Sequence, residues 1–212
     1  MQGKKSYQIK KNIVIPNGVD MHFFKYFPIR TKNVLFIGRF SKEKGIELFP
    51  DIIERVMNIK DASITLLMPY NVLPKEMEKI RDKIRLYERR NKGRIRIITK
   101  PMGQDYIAGL YKNCQIYIQP SKYESFGLCI LEAMATGRPV IAFKVGGIPQ
   151  LVGDCGFVVN DKESFLSKIE ELLNNTDLCK KIGEKACARA KNFKWDIIAK
   201  KTIDFYKVIL NE

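Results

Sequence analysis

The chain has 212 residues, 45% of them hydrophobic and 10% aromatic, which is enough to bury one sizeable core and excludes disorder over most of its length. Its apolar runs, such as residues 64–68, are too short to span a bilayer, and residues 1–11 are polar and basic with no apolar signal-peptide core. Five scattered cysteines and a single histidine, His22, argue against a disulfide framework and a zinc site, while the net charge of +15 suits an anionic partner such as a nucleotide, acidic lipid headgroups or nucleic acid, a solvated basic surface being the plainer reading. Apolar, β-rich runs then alternate with amphipathic ones. Residues 34–38 (VLFIG) read as a buried strand. Residues 45–59 read as a helix with Ile46, Phe49, Ile52, Ile53 and Val56 on one face. A strand at 63–68 stops at Pro69, and 74–90 is a charged helix with the narrow stripe Met77, Ile80, Ile84 and Tyr87. Strands at 95–98 and 116–119 flank a short helix at 105–112. A helix at 126–136, closed by Gly137, leads to a strand at 139–143. A last strand at 156–159 precedes a helix capped by Asp161 and running to about residue 173, then helices at 177–191 and 196–210.

Strands that alternate with helices imply a parallel sheet covered on both faces, here an α/β, doubly wound, Rossmann-like domain. In such sheets ligands sit at the carboxyl ends of the strands, near the point where strand order reverses. The residues that could carry chemistry fall at those ends. After the first strand come Gly38 and Arg39, then Lys44 five positions on. A glycine permits close backbone approach, and a guanidinium fork with an ammonium suits a diphosphate; a turn bearing solvated charges is the plainer reading. After the fourth strand stand Glu124 and, eight positions on, Glu132, separated by the step Phe126-Gly127-Leu128 that reads as the mouth of a helix. The amides at such a mouth suit phosphate. Glu124 could equally serve only the helix dipole, whereas Glu132, set among Cys129, Ile130, Leu131, Ala133 and Met134, needs a partner or a ligand. Gly146-Gly147 suits a ligand contact or an ordinary turn alike. His22 stands in no nucleophilic pattern, and Trp195 reads as helix docking rather than ligand stacking.

Four segments, IPNGVD (residues 15–20), GRFSKEKG (38–45), PSKYESFGLCILEAMATGRPVIA (120–142) and GGIP (146–149), in this order closely resemble the C-terminal half of retaining glycosyltransferases of the GT-B fold, family 4. The likeness covers nearly the whole chain from about residue 12. It implies a nucleotide-sugar-binding domain that moves a hexosyl unit from a UDP-, GDP- or ADP-sugar to a glycan or lipid-linked acceptor. By position, Arg39 and Lys44 would meet the donor diphosphate, with Gly38 beside them. The amides of Phe126, Gly127 and Leu128 would face phosphates or sugar, Glu132 would hold the ribose hydroxyls, and Glu124 would contact the transferred sugar near the reacting centre. No cofactor or metal is implied. The sequence departs from the family at Met68-Pro69-Tyr70-Asn71, at Thr99-Lys100-Pro101-Met102 and at Gln150. Thr99 and Lys100 belong to the loop that would approach the base, which leaves the donor's identity open.

A GT-B enzyme has two such halves. The expected organisation is therefore an N-terminal segment and inter-domain junction over 1–33, the nucleotide-sugar-binding domain over 34–193, and a terminal helix over 194–212 facing the missing acceptor half, which is supplied in cis or by another chain. Ile197, Ile198, Phe205 and Val208 of that helix are then expected to be partly exposed or covered by self-association. A cytoplasmic protein, peripheral at the inner face of a membrane, would suit the charge. Two other readings stay open: a non-catalytic donor-binding subunit of a split enzyme, and a basic module for nucleic acid or membrane surfaces, although no nucleic-acid motif stands out. Sugar-nucleotide 2-epimerases share the fold but not the paired-glutamate context.

Overall fold

The computed structural model describes residues 12–70 and 74–210. Residues 1–11 of the expected N-terminal segment, Asn71 and the last two residues lie outside them. Six strands, β1 (Asn33–Ile37), β2 (Ser63–Leu67), β3 (Ile95–Ile98), β4 (Ile116–Gln119), β5 (Val140–Phe143) and β6 (Phe157–Val159), form one parallel sheet of order β3-β2-β1-β4-β5-β6. Eight α-helices connect and follow them: α1 (Phe49–Met57), α2 (Lys75–Arg90), α3 (Gln104–Lys112), α4 (Leu128–Ala135), α5 (Ile148–Val152), α6 (Lys162–Asn174), α7 (Thr176–Ala190) and α8 (Trp195–Leu210). The expected doubly wound α/β class is what the chain adopts.

The strands are near-continuous apolar runs because both faces of the sheet are covered. Alternation along each strand divides the core. Val34, Phe36, Ile64, Leu66, Ile116, Ile118 and Ile141 face α1, α2 and α6, while Leu35, Ile37, Leu67, Tyr117, Val140 and Ala142 face α3, α4 and α5. Asp161 caps α6 as expected, accepting from the Ser164 amide at 2.8 Å, and Asn175 does the same for α7 through Leu178 at 2.9 Å.

Two expectations are corrected, and one helix is added. The helix expected over 45–59 is a 3-10 turn, Ile46–Leu48, followed by α1, and a first 3-10 turn, Lys42–Lys44, precedes it, because Gly45 is left-handed and Pro50 sits in the first turn of α1. The helix expected from residue 126 begins at Leu128, with Gly127 (φ 96°) at its cap and Phe126 in the loop before it. The segment after the paired glycines forms α5, with Pro149 in its first turn. Of the terminal-helix residues, Ile198 is buried and Val208 exposed, with Ile197 and Phe205 between the two. Trp195 is 52% exposed yet docks α8, for its indole occupies the space a side chain at Gly18 would need. The same junction is tied by the Val19 amide donating to the Phe193 carbonyl at 2.8 Å.

Candidate functional site

The chain leaves β1 for β2 on one side and β4 for β5 on the other, so strand order reverses between β1 and β4. At their carboxyl ends lie the residues singled out above. Gly38 and Arg39 follow β1, and Arg39 is exposed and forms no ion pair among the described residues. Lys44 ends the first 3-10 turn. Its Nζ lies 2.5 Å from Glu124 Oε2 in the loop after β4, the two side chains being only 19% and 15% exposed. The ammonium and the carboxylate expected at opposite ends of a donor thus neutralise each other across the mouth between β1 and β4.

The loops that carry this pair hold each other through their backbones. At Gly45 (φ 69°), an ideal Cβ would fall 1.8 Å from the Pro120 carbonyl oxygen. At Gly146 (φ 50°), it would fall 1.8 Å from the Glu124 carbonyl oxygen, to which the Gly147 amide donates at 3.1 Å. The Lys122 amide donates to the Glu43 carbonyl at 2.8 Å. The paired glycines after β5 therefore touch the Glu124 loop, and the space beside Gly38 is filled by the Phe36 ring. Close approach is used for loop against loop.

Glu132 sits one turn into α4 and is mostly buried. Burial pushes its carboxyl up to about 7, while the Tyr111 hydroxyl, 3.0 Å from Oε2, pulls the other way. The first amides of α4 have no intrahelical acceptor, so this helix mouth presents N–H groups beside Glu124 in sequence and beside β4 in the sheet. Leu128 is half exposed there, and the Phe126 ring packs tilted against Phe193, centroids 6.2 Å apart. Thr99 and Lys100 follow the edge strand β3. Thr99 lines a narrow cleft with Phe40, Met68, Tyr70 and Arg85, and Lys100 is exposed. A roomier cleft of about 500 Å³ lies between α1 and α6. Most of its charges satisfy one another, Arg55 with Glu163 and Glu170 and Lys162 with Asp51.

Sequence reasoning missed the supporting polar groups. The Tyr117 hydroxyl donates to either the Ile37 carbonyl (3.1 Å) or Gln119 Oε1 (2.5 Å), and Gln119 Nε2 donates to Ser121 Oγ (2.7 Å). This fully buried chain joins the end of β1 to the loop that carries Glu124. Arg138, fully buried and with no acidic partner among the described residues, donates to the carbonyls of Thr136 (3.2 Å), Cys114 (2.7 Å) and Phe27, tying the N-terminal segment to the end of α4. A glutamine at a strand end and an arginine inside an apolar run were the only signals.

The sequence matches the family described as Glycosyl transferases group 1 over residues 31–175. A D-inositol 3-phosphate glycosyltransferase of Streptomyces griseus is 36% identical over 116 residues, 53% of this chain and 25% of its own length. An uncharacterized glycosyltransferase of Methanocaldococcus jannaschii is 32% identical over 189 residues, 87% of this chain and 50% of its own. The structure of Anabaena HepE in complex with UDP and glucose is alike in fold, with a TM-score of 0.77 at 22% identity over 92% of this chain and 56% of that one. The chain spans a quarter to a half of the length of these curated relatives. Its six-stranded parallel sheet is that of one half of a GT-B fold. Matched over more than half its length, the chain belongs to the glycosyl transferases group 1.

Proposed function

We propose that this chain is the nucleotide-sugar-binding half of a retaining hexosyltransferase, acting with an acceptor-binding half that lies elsewhere in the same polypeptide or in a partner. The observation that carries the reading is the convergence of Lys44, Glu124, Glu132 and the mouth of α4 at the β1/β4 switch point. A diphosphate placed there meets the α4 amides, Lys44 and Arg39, which stabilise the negative charge that grows on it as the glycosidic bond breaks. Glu132, beyond that mouth, accepts from the ribose hydroxyls. Glu124 accepts from hydroxyls of the transferred sugar and so fixes its anomeric carbon toward the acceptor. Thr99 and Lys100 approach the base. Arg39 and Lys44 neutralise the phosphates, so the donor needs no metal. Retention of configuration, hexosyl transfer and a glycan or lipid-linked acceptor follow from the family likeness. The excess of positive charge suits an acceptor at an acidic membrane face.

That HepE is captured with UDP and glucose supports a donor of this class. Calorimetric titration with UDP, GDP and ADP, repeated on Glu132→Ala and Arg39→Ala, tests the reading. One nucleotide is expected to bind, and each variant to weaken it about tenfold or more, the loss of one charge-assisted contact. Equal binding by wild type and both variants overturns the assignment.

A further inference from the structure

In the first turns of α4, on the side that faces α3, two acceptors share one phenol proton. Tyr111 reaches this helix from α3, and its hydroxyl lies 2.9 Å from the Cys129 carbonyl and 3.0 Å from Glu132 Oε2. A phenol has one proton and can donate to one of the two. If Glu132 is ionised it is an acceptor only, and the second contact sets oxygen lone pairs against each other. If Glu132 carries a proton, both contacts are satisfied: Glu132 donates to Tyr111 Oη, and Tyr111 donates to the Cys129 carbonyl. The groups that face this carboxyl agree with a neutral state. They are Tyr111 from α3, Tyr117 from β4 and Cys129 from its own helix, and burial keeps all three protonated. Lys44 and Glu124, whose charges reach Cys129, are paired with each other.

A ribose diol reverses the requirement, because its two hydroxyls arrive as donors and need a carboxylate that only accepts. We propose that Glu132 stores a proton in the empty site and releases it to solvent when a nucleotide binds, with Tyr111 as the positioning residue that turns its own proton from the Cys129 carbonyl to Glu132. The proton balance is one carboxylic acid and one diol in, and one carboxylate hydrogen-bonded by that diol plus one solvated proton out. The inference rests on the reading of Glu132 as the ribose ligand. The upward displacement of this carboxyl to about 7 places the exchange at neutral pH. Nucleotide affinity should then rise about tenfold between pH 6 and pH 8, with about half a proton released at pH 7.

Two measurements separate this from the site assignment itself. The first is a carbon-13 titration of the glutamate side-chain carboxyls in the ligand-free protein, with Glu132 assigned by its absence in Glu132→Gln. A midpoint near 7 is expected, and a midpoint in the ordinary glutamate range near ~4.3 overturns the proposal. The second is calorimetry with UDP-glucose, GDP-mannose and ADP-glucose, whose substituted diphosphates carry no titrating proton near neutrality, in buffers of different ionisation enthalpy. Proton release on binding, absent in Glu132→Gln, is expected, and binding without proton exchange overturns the proposal. Tyr111→Phe should move the whole pH profile upward, because the carboxylate loses its donor; a loss of affinity that is equal at every pH would mean that Tyr111 only packs. Failure of all three sugar nucleotides to bind overturns the nucleotide-site reading and the coupling with it, while the carbon titration reports on the stored proton independently.

Discussion

Replacing Gly146 by alanine tests the claim that backbone contact between loops holds the site. The new Cβ would stand 1.8 Å from the Glu124 carbonyl oxygen, whereas comfortable carbon–oxygen contacts in folded chains begin at about 3.3 Å. The loops after β4 and β5 must therefore part by about 1.5 Å, and the 3.1 Å hydrogen bond from Gly147 to Glu124 is stretched beyond use. The cost adds a left-handed backbone for a non-glycine residue, about 1 kcal/mol, a lost hydrogen bond, about 1 kcal/mol, and local overpacking, about 1 kcal/mol or more. Gly93 is the internal control: it is also left-handed (φ 83°), but an added Cβ meets nothing within 4 Å. Gly93→Ala therefore isolates the backbone cost. By thermal unfolding followed by circular dichroism, Gly93→Ala should lower Tm by about 2–4 °C and Gly146→Ala by about 6–12 °C, for a chain of this size. Equal shifts for the two variants would refute the argument, because the collision at Glu124 would then contribute nothing.

Arg138→Met should cost about 2 kcal/mol in urea unfolding by taking the donor from the Cys114 and Phe27 carbonyls, while the Thr136 carbonyl keeps the Phe27 amide, and Arg138→Lys should recover less than half, since one ammonium cannot replace the guanidinium fork. An unchanged unfolding midpoint for Arg138→Met would count against its tethering role. Because burial raises the folded-state pKa of Glu132 to about 7, the folded chain keeps a proton that the unfolded chain releases; the stability tied to this proton is full below about 4.3 and is lost as pH rises to 7. Glu132→Gln should consequently gain on the wild type by about 3 kcal/mol between pH 4 and pH 8 in urea melts, and a difference that does not change with pH would disprove the buried, neutral carboxyl. Glu124→Ala frees Lys44 from its 2.5 Å pair and removes a negative charge from the mouth of the site. It should therefore bind the bare nucleoside diphosphate about fivefold more tightly by calorimetry, a change of about 1 kcal/mol for a partly buried pair, and a weaker diphosphate complex would contradict the pairing argument.

The fold was legible because its determinants are local and repeated. Runs such as VLFI (residues 34–37) and VIAF are apolar at every position, as strands covered on both faces require, and the helices between them carry clear stripes. The parallel sheet and its switch point follow from that alternation and from the handedness of crossovers. Where the reading slipped, a residue's role was set by what faces it across the fold. Gly45 and Pro50 break the expected helix at 45–59 because one must turn left-handed against Pro120 and the other lacks an amide. Glu124 and Glu132 could be picked out by their surroundings in sequence, yet nothing there pairs Glu124 with Lys44, eighty positions away. Tyr111 and Tyr117 read as ordinary core aromatics, since a phenol's partner is invisible until distant strands and helices are packed.

Glycines carry this distinction furthest. In sequence, a glycine after a strand points to a ligand, because the ligand is the one object known to lie there. In the folded chain the space at Gly45 and Gly146 is taken by the carbonyls of Pro120 and Glu124, and the space at Gly38 by a phenyl ring. The glycines serve the site at one remove: they let three loops from β1, β4 and β5 close on one another before any donor arrives. In the proposed donor site, such preorganisation would leave little ordering to be done at the moment of binding, so that its charged groups would act at full strength on the phosphates. The buried chain from Ile37 through Tyr117 and Gln119 to Ser121 does the same from below, fixing the Glu124 loop to the end of β1. On the proposed reading, the groups that respond to a donor are side chains, the Lys44–Glu124 pair and Glu132 beside Tyr111. The rigid frame and the few mobile charges within it are therefore separable by mutation: substitutions at the loop glycines should read out first as stability, and substitutions at Lys44, Glu124 or Glu132 first as affinity and its dependence on pH.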